Sequence, residues 1–237
     1  MSPFLAGLAL ADGDPASQVA RNDYGVAVSW LAMPVHYQLD PANEAGLDED
    51  GVVSAVAAAS GAWTAARGAA VLLSFAGTVE GLEAGYDESN AVLFAQDWPF
   101  DSDVLALTDT WSDEDGEIHD FDIRVNTRDW AWSLDGDGLC ADLQNSLAHE
   151  FGHAIGVAHN PETSEATMFA TTHDGETQKR DLDPADEAVA AYLYPGEVED
   201  TGEAAMPSMA LCAASPHLAM AATGLAGALS MFRRRSA

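Results

Sequence analysis

Three features of this 237-residue chain predict a single α+β domain. Hydrophobic periodicity runs in the order strand, helix, several strands, helix, helix, with no internal repeat, which fits layered α+β architecture. Apolar residues make up 48% of the chain and six residues are Trp, enough to bury a core. The length suits one domain of about 150–200 residues with additional segments at its ends.

Each element has its own signal. Val35, Tyr37 and Leu39 alternate with His36 and Gln38, the pattern of a half-buried strand. Residues 51–66 place Val52, Val56, Ala59 and Trp63 on one face of an amphipathic helix. Residues 71–75, 91–95 and 104–108 read as short apolar strands. Phe121, Ile123 and Val125 alternate with Asp122, Arg124 and Asn126, a strand with one wet face. Leu143, Leu147, Phe151 and Ile155 recur every four residues, so a helix runs from Asp142 to about Val157 with Asp142 as N-cap. The last helix spans Asp183 to Tyr194, with Asp183 as N-cap and Pro184 at the first helical position.

Charge separates this domain from the chain's end. The chain holds 39 acidic and 9 basic residues, a net charge of −30 at pH 7. Such a surface disfavours nucleic acid, because phosphate contacts need Lys and Arg, and it favours cationic substrates. Residues 1–205 contain all 39 acidic and six basic residues, a balance of −33, whereas residues 206–237 carry only Arg233, Arg234 and Arg235. Only two Cys occur, Cys140 and Cys212, which excludes a disulfide scaffold and a cysteine zinc site. Residues 1–11 are apolar and end Ala-Leu-Ala, as a shortened signal peptide would; an ordinary apolar N-terminus is the alternative. Residues 196–216 form an acidic, Pro-containing linker that includes Cys212. Residues 217–237 combine the uncharged run Leu218–Phe232 with the Arg cluster. The run is slightly short of the ~20 residues that span a bilayer upright, but the basic stop obeys the positive-inside rule. This segment therefore reads as a membrane anchor; a buried core helix would leave the arginines unexplained.

The candidate site lies in residues 149–159, where His149, Glu150, His153, Gly156 and His159 form the pattern H-E-x-x-H-x-x-G-x-x-H. His149 and His153 are about 40° apart in helical projection, so both imidazoles leave the same face and can hold one zinc ion. His159 would point about 240° away from His153 on a continuing helix. Gly156 resolves this, since glycine tolerates the left-handed conformation that ends a helix and turns the chain back. Three protein nitrogens then leave a fourth zinc position open. Glu150 is one residue beyond His149, placed as a general base for water rather than as a ligand. A structural three-His zinc site is the plainer alternative, but such sites normally fill the fourth position with protein.

This motif resembles that of the metzincin zinc endopeptidases, and the chain is most similar to the matrixin branch and its bacterial relatives over roughly residues 30–195. Residues Gly116–Ile123 with Asn126 resemble the strand upstream of the active helix in that branch. Asp142–Ala148 resembles the start of that helix, and Asp186–Tyr194 the closing helix. The resemblance implies a metzincin fold with a mixed twisted sheet. It also implies one catalytic zinc, peptide-bond hydrolysis, and Met168 as the Met-turn methionine beneath the metal. Asn160 stands where matrixins usually have Ser, and Met168 lies nine residues after His159, one more than is common. Ala170-Thr171-Thr172 replaces the Pro-x-Tyr that shapes the specificity pocket, so cleavage preference does not carry over. No Cys precedes Cys140, so cysteine-switch latency is not expected, and the family's structural zinc site lacks its His set. Cys212, the apolar run and the Arg cluster resemble the C-terminal sorting tails of myxobacterial surface proteins, which would make Cys212 a processing or lipid-attachment point.

The expected protein is thus a secreted or surface-anchored zinc endopeptidase, a monomer acting on protein or peptide substrates. The alternatives are a non-catalytic surface-binding module on the same scaffold and a hydrolase of non-peptide amides or esters. Asp113, Glu114, Asp115 and Glu117 around Gly116, and Asp135 with Asp137, offer oxygen ligands to calcium. Neither run has EF-hand spacing, and solvated acidic loops are the plainer reading. His36, His119 and His173 are isolated in sequence.

Overall fold

The computed structural model describes residues 14–196 and the backbone of residues 226–234. The expected signal peptide at 1–11, linker residues 197–216 and Cys212 lie outside the described residues. After a 3-10 turn at Pro15–Gln18 come β1 (Val35–Leu39), α1 (Glu49–Thr64), β2 (Leu73–Thr78), β3 (Ala91–Ala95), β4 (Val104–Ser112) and β5 (Ile118–Asn126). The two-residue strands β6 (Trp132–Ser133) and β7 (Ala141–Asp142) pair with each other just before α2 (Leu143–Ala154). The remaining elements are β8 (Thr171–Thr172), a second 3-10 turn at Gln178–Arg180, α3 (Pro184–Leu193) and β9 (Ala226–Arg234).

The main sheet has the order β2-β1-β3-β5-β4-β9-β8. Strands β2, β1, β3 and β5 are parallel, β4 runs antiparallel to β5, β9 antiparallel to β4, and β8 parallel to β9. This is the mixed α+β sheet expected of a metzincin fold.

Helices α1 and α2 pack together against the sheet. Trp63 of α1 is fully buried and donates from Nε1 to the Ala148 carbonyl of α2 at 2.7 Å. The ring of Tyr37 on β1 meets Phe151 of α2 edge-on, with centroids 5.0 Å apart. Gly152 makes this close approach possible. A Cβ there would stand 2.6 Å from the Trp63 ring and 2.2 Å from the Met168 sulfur. The glycine between the two motif histidines thus lets α1 and the Met168 turn press against α2.

Several features differ from the sequence expectation. β2 begins at Leu73 rather than at residue 71, and α1 starts two residues early because Asp48 caps it through the Gly51 N–H. β4 continues past Thr108 to Ser112, where alternating polar residues mask a strand that is mostly buried. The polar face of β5 is covered rather than wet: Asp122 and Asn126 are buried, and the Gly85 N–H donates to Asp122 Oδ2 at 2.7 Å. β6, β7 and β8 are too short to carry a period. Residues 226–234, within the segment that reads as an anchor, form strand β9 at the sheet. A short uncharged apolar run does not distinguish helix from strand; the open edge of β4 decides it here. No helix among the described residues is long and apolar enough to cross a membrane.

Candidate metal centre

Helix α2 begins where Asp142 accepts a hydrogen bond from the Asn145 N–H at 2.9 Å. Arg180 anchors the same buried carboxylate, with Nε 2.8 Å from Oδ1 and a second contact from its other nitrogen to Oδ2. The helix ends at Ala154, earlier than the expected Val157, and Gly156 just beyond its cap turns the chain away with φ +88°. A Cβ at this glycine would lie 2.3 Å from the Val28 carbonyl oxygen, so both its conformation and the neighbouring backbone demand glycine.

The helix's last carbonyls are satisfied from outside, as buried helix ends require. Trp30 Nε1 donates to Ala154 O at 2.9 Å, and the Tyr194 hydroxyl donates to Ile155 O at 2.7 Å. Beyond Gly156, residues 18–20 strap the chain that leads to His159. The Ala20 N–H donates to Gly156 O and the Ala158 N–H to Gln18 O, each at 2.8 Å. These N-terminal residues precede the 30–195 unit, and their part in holding the loop has no sequence signature.

The three predicted histidines converge. His153 Nε2 lies 3.1 Å from both His149 Nε2 and His159 Nε2. His149 Nδ1 is 2.7 Å from the Thr167 carbonyl and His153 Nδ1 is 2.8 Å from the Val157 carbonyl. A carbonyl only accepts, so each Nδ1 carries the proton and each Nε2 presents a lone pair. Two lone pairs facing each other at that distance repel unless a cation lies between them. Nitrogens about 2.0–2.1 Å from one tetrahedral zinc are separated by about this much. The residues therefore fit a single metal ion. Burial, reinforced by the neighbouring imidazoles, pushes His149 well below its ordinary value and His153 to about 3, so both are neutral and ready to ligate at pH 7.

Glu150 is fully buried and reaches toward β4. Its Oε2 accepts from the Thr108 hydroxyl at 2.6 Å, while Oε1 has no hydrogen-bond partner among the described residues. Burial pushes its carboxyl up to about 8, with Asp109 adding to the rise and the Thr108 bond opposing it. Thr108 is invisible to sequence reasoning because it is 42 residues from Glu150 and joined only by sheet-to-helix packing.

Met168 is also fully buried, its sulfur against Gly152 of α2. Its carbonyl accepts from the Asn160 N–H at 2.8 Å. Asn160 in turn caps the following turn by accepting from the N–H groups of Glu162 and Thr163. Asp186 holds the Met168 turn from the other side. Its carboxylate accepts from Thr167 N at 2.7 Å, Met168 N at 3.1 Å and Asp183 N at 3.0 Å. Burial pushes Asp186 up to about 6 against those three N–H groups, so it is still ionised at pH 7. The D-x-x-D spacing of a capping box, Asp183 to Asp186, is the one sequence signal that points to this residue. Asp186→Asn turns an amide donor toward backbone donors and is expected to cost about 1–3 kcal/mol. A thermal melt checks it: an unchanged Tm contradicts this role for Asp186.

The acidic loops behave more plainly. Asp113 Oδ1 accepts from the N–H groups of Asp115 and Glu117, closing its own turn. Asp113, Glu117 and His119 bring ligand atoms together at the surface, with His119 Nε2 3.4 Å from Asp113 Oδ2, so His119 is not isolated in the fold. Asp137 accepts from the Leu139 N–H within its loop.

No curated protein matches the chain significantly. The sequence model of the matrixin peptidases matches residues 29–195, which cover β1 to β8, the three histidines, the Met168 turn and α3. With the geometry of the histidines, this match shows that the chain belongs to the matrixin family of metallopeptidases.

Proposed function

We propose that the protein is a zinc endopeptidase in which His149, His153 and His159 hold the metal and Glu150 is the general base. The observation that carries this reading is the convergence of three Nε2 atoms, two of them presenting lone pairs, in a largely buried site beside Glu150 in sequence, whose Oε1 has no hydrogen-bond partner among the described residues. Bound zinc would supply a Lewis acid that activates water and polarises the peptide carbonyl. The Thr167 and Val157 carbonyls hold His149 and His153 in the ligating tautomer. Thr108 steers Glu150 by donating to Oε2; the positive charge of a bound metal would offset the burial that raises this carboxyl, leaving Oε1 ionised to take a proton from the attacking water and return it to the leaving amine. Buried Met168 forms the apolar floor of the Met-turn and presses on α2 at Gly152.

The bacterial branch, the sorting tail with processing at Cys212 and an extracytoplasmic location belong to the same proposal. Their support is the Arg cluster after the apolar run and the acidic surface. Substrates are peptides or proteins, with cationic ones favoured by the net charge of −30.

The test is digestion of a peptide library by the purified chain at low salt, with zinc quantified in the same sample. Cleavage is expected with one zinc per chain, to be abolished by a chelator and restored by zinc, and to favour basic peptides. Activity that survives complete zinc removal refutes the mechanism, and equal cleavage of acidic and basic peptides refutes the charge preference. Recovery of the expressed chain in the cytoplasm refutes the location.

A further inference from the structure

A sheet's edge strand exposes unpaired N–H and C=O groups, and an extended peptide binds by adding to it. In residues 14–196 the sheet has β2 at one edge and β4 at the other, and β4 is the edge beside the metal centre. Its hydrogen-bonding groups are taken by the chain's own C-terminal strand. β9 runs antiparallel along β4 from Ser112↔Ala226 to Val104↔Arg233, with Thr108 opposite Ser230. On its other side β9 pairs parallel with β8, Thr171↔Arg233 and Thr172↔Arg234. It also lies against α2, the helix that carries His149, Glu150 and His153.

These neighbours define a cleft. One wall is β4, whose Thr108 bonds Glu150; the other is β8, which starts three residues after Met168. An extended peptide that adds to β4 beside the metal centre has to occupy the place of β9. The segment also has complementary charge, since it includes Arg233 and Arg234 while residues 1–205 carry −33.

We propose that Ala226–Arg234 is an autoinhibitory strand that fills the peptide-binding cleft and must leave before substrate can bind. This inference rests on the reading of the site as a peptidase. Tethering gives the strand an effective concentration on the order of mM, so even a weak strand–edge interaction keeps the cleft mostly closed. The backbone groups engaged with β4 and β8 are then unavailable to a bilayer. Cleft coverage and membrane anchoring are therefore alternative states of one segment, and membrane capture or removal of the segment would open the enzyme.

The test uses the full chain and the double variant Leu229→Pro/Ser230→Pro. Successive strand residues point their N–H groups to opposite sides, so one of the two prolines deletes a donor to β4. In the variant, amide exchange across residues 104–112 is expected to accelerate, with or without zinc, while α2 stays protected. In the zinc-loaded protein, kcat/KM for peptide hydrolysis is expected to rise about tenfold or more, and a synthetic peptide of residues 226–234 to inhibit the variant competitively. Unchanged exchange in 104–112 overturns the proposal. So does faster exchange with no gain in kcat/KM, or failure of the peptide to inhibit. If neither protein hydrolyses any peptide, the peptidase reading fails and inhibition with it, while the exchange data still report whether β9 covers β4.

Discussion

Glu150→Gln is expected to lower peptide hydrolysis by about 10²–10⁴-fold while the chain still binds one zinc and keeps its Tm. The substitution is nearly isosteric, and the amide oxygen can still accept from Thr108, which bonds Oε2 at 2.6 Å. It removes only the capacity to take up and deliver a proton. Stability is not expected to fall, because burial already disfavours the ionised carboxyl at this position. Thr108→Val should produce a smaller loss of the same kind, by freeing Glu150 to rotate. Measuring kcat/KM beside zinc content separates the two roles a motif residue could have. A Glu150→Gln protein that retains wild-type turnover would remove it as the base. One that loses zinc would make it part of the metal-holding frame instead.

Gly156→Val is expected to disable the metal centre without touching a ligand. The residue sits at φ +88°, a conformation that β-branched side chains strongly resist. Its Cβ would also lie 2.3 Å from the Val28 backbone oxygen, which no rotamer change can relieve. Strain and steric overlap together should cost about 3 kcal/mol or more. Relief requires the chain after α2 to swing away, carrying His159 from its position 3.1 Å from His153. The expected readouts are a lowered Tm, less than one zinc per chain after dialysis, and loss of hydrolysis. Stoichiometric zinc at an unchanged Tm would show that the turn does not need glycine.

Glu150 and Gly156 are both legible in the amino-acid sequence alone. The motif spacing identifies them together with His149, His153 and His159, because helical geometry links neighbours three to seven residues apart. The same local logic places α2 behind Asp142 and α3 behind Asp183, and both N-caps are present. Met168 can be named only through family resemblance. A lone buried Met has no local signal, and its contact with Gly152 spans the loop between helix and turn.

Thr108, Asp186 and residues 18–20 show where local reasoning stops. Each acts on the site by a hydrogen bond that closes a long loop: Thr108 to Glu150, Asp186 to the Met168 turn, and Gln18 and Ala20 to the chain before His159. Periodicity cannot report such pairs, because it encodes which face of an element is buried and not what that face meets.

The C-terminal segment divides the two levels most clearly. Composition shows that residues 217–237 are apolar, Arg-ended and opposite in charge to the domain, and that holds in any conformation. Whether such a run is helix or strand depends on what can satisfy its backbone hydrogen bonds. Here the edge of β4 does so for residues 226–233, and β8 pairs with Arg233 and Arg234. Local spacing and burial pattern are written in the chain itself. The partner of an open sheet edge, and the second hydrogen bonds that fix a catalytic carboxylate or a metal-binding turn, exist only once distant segments have been brought together.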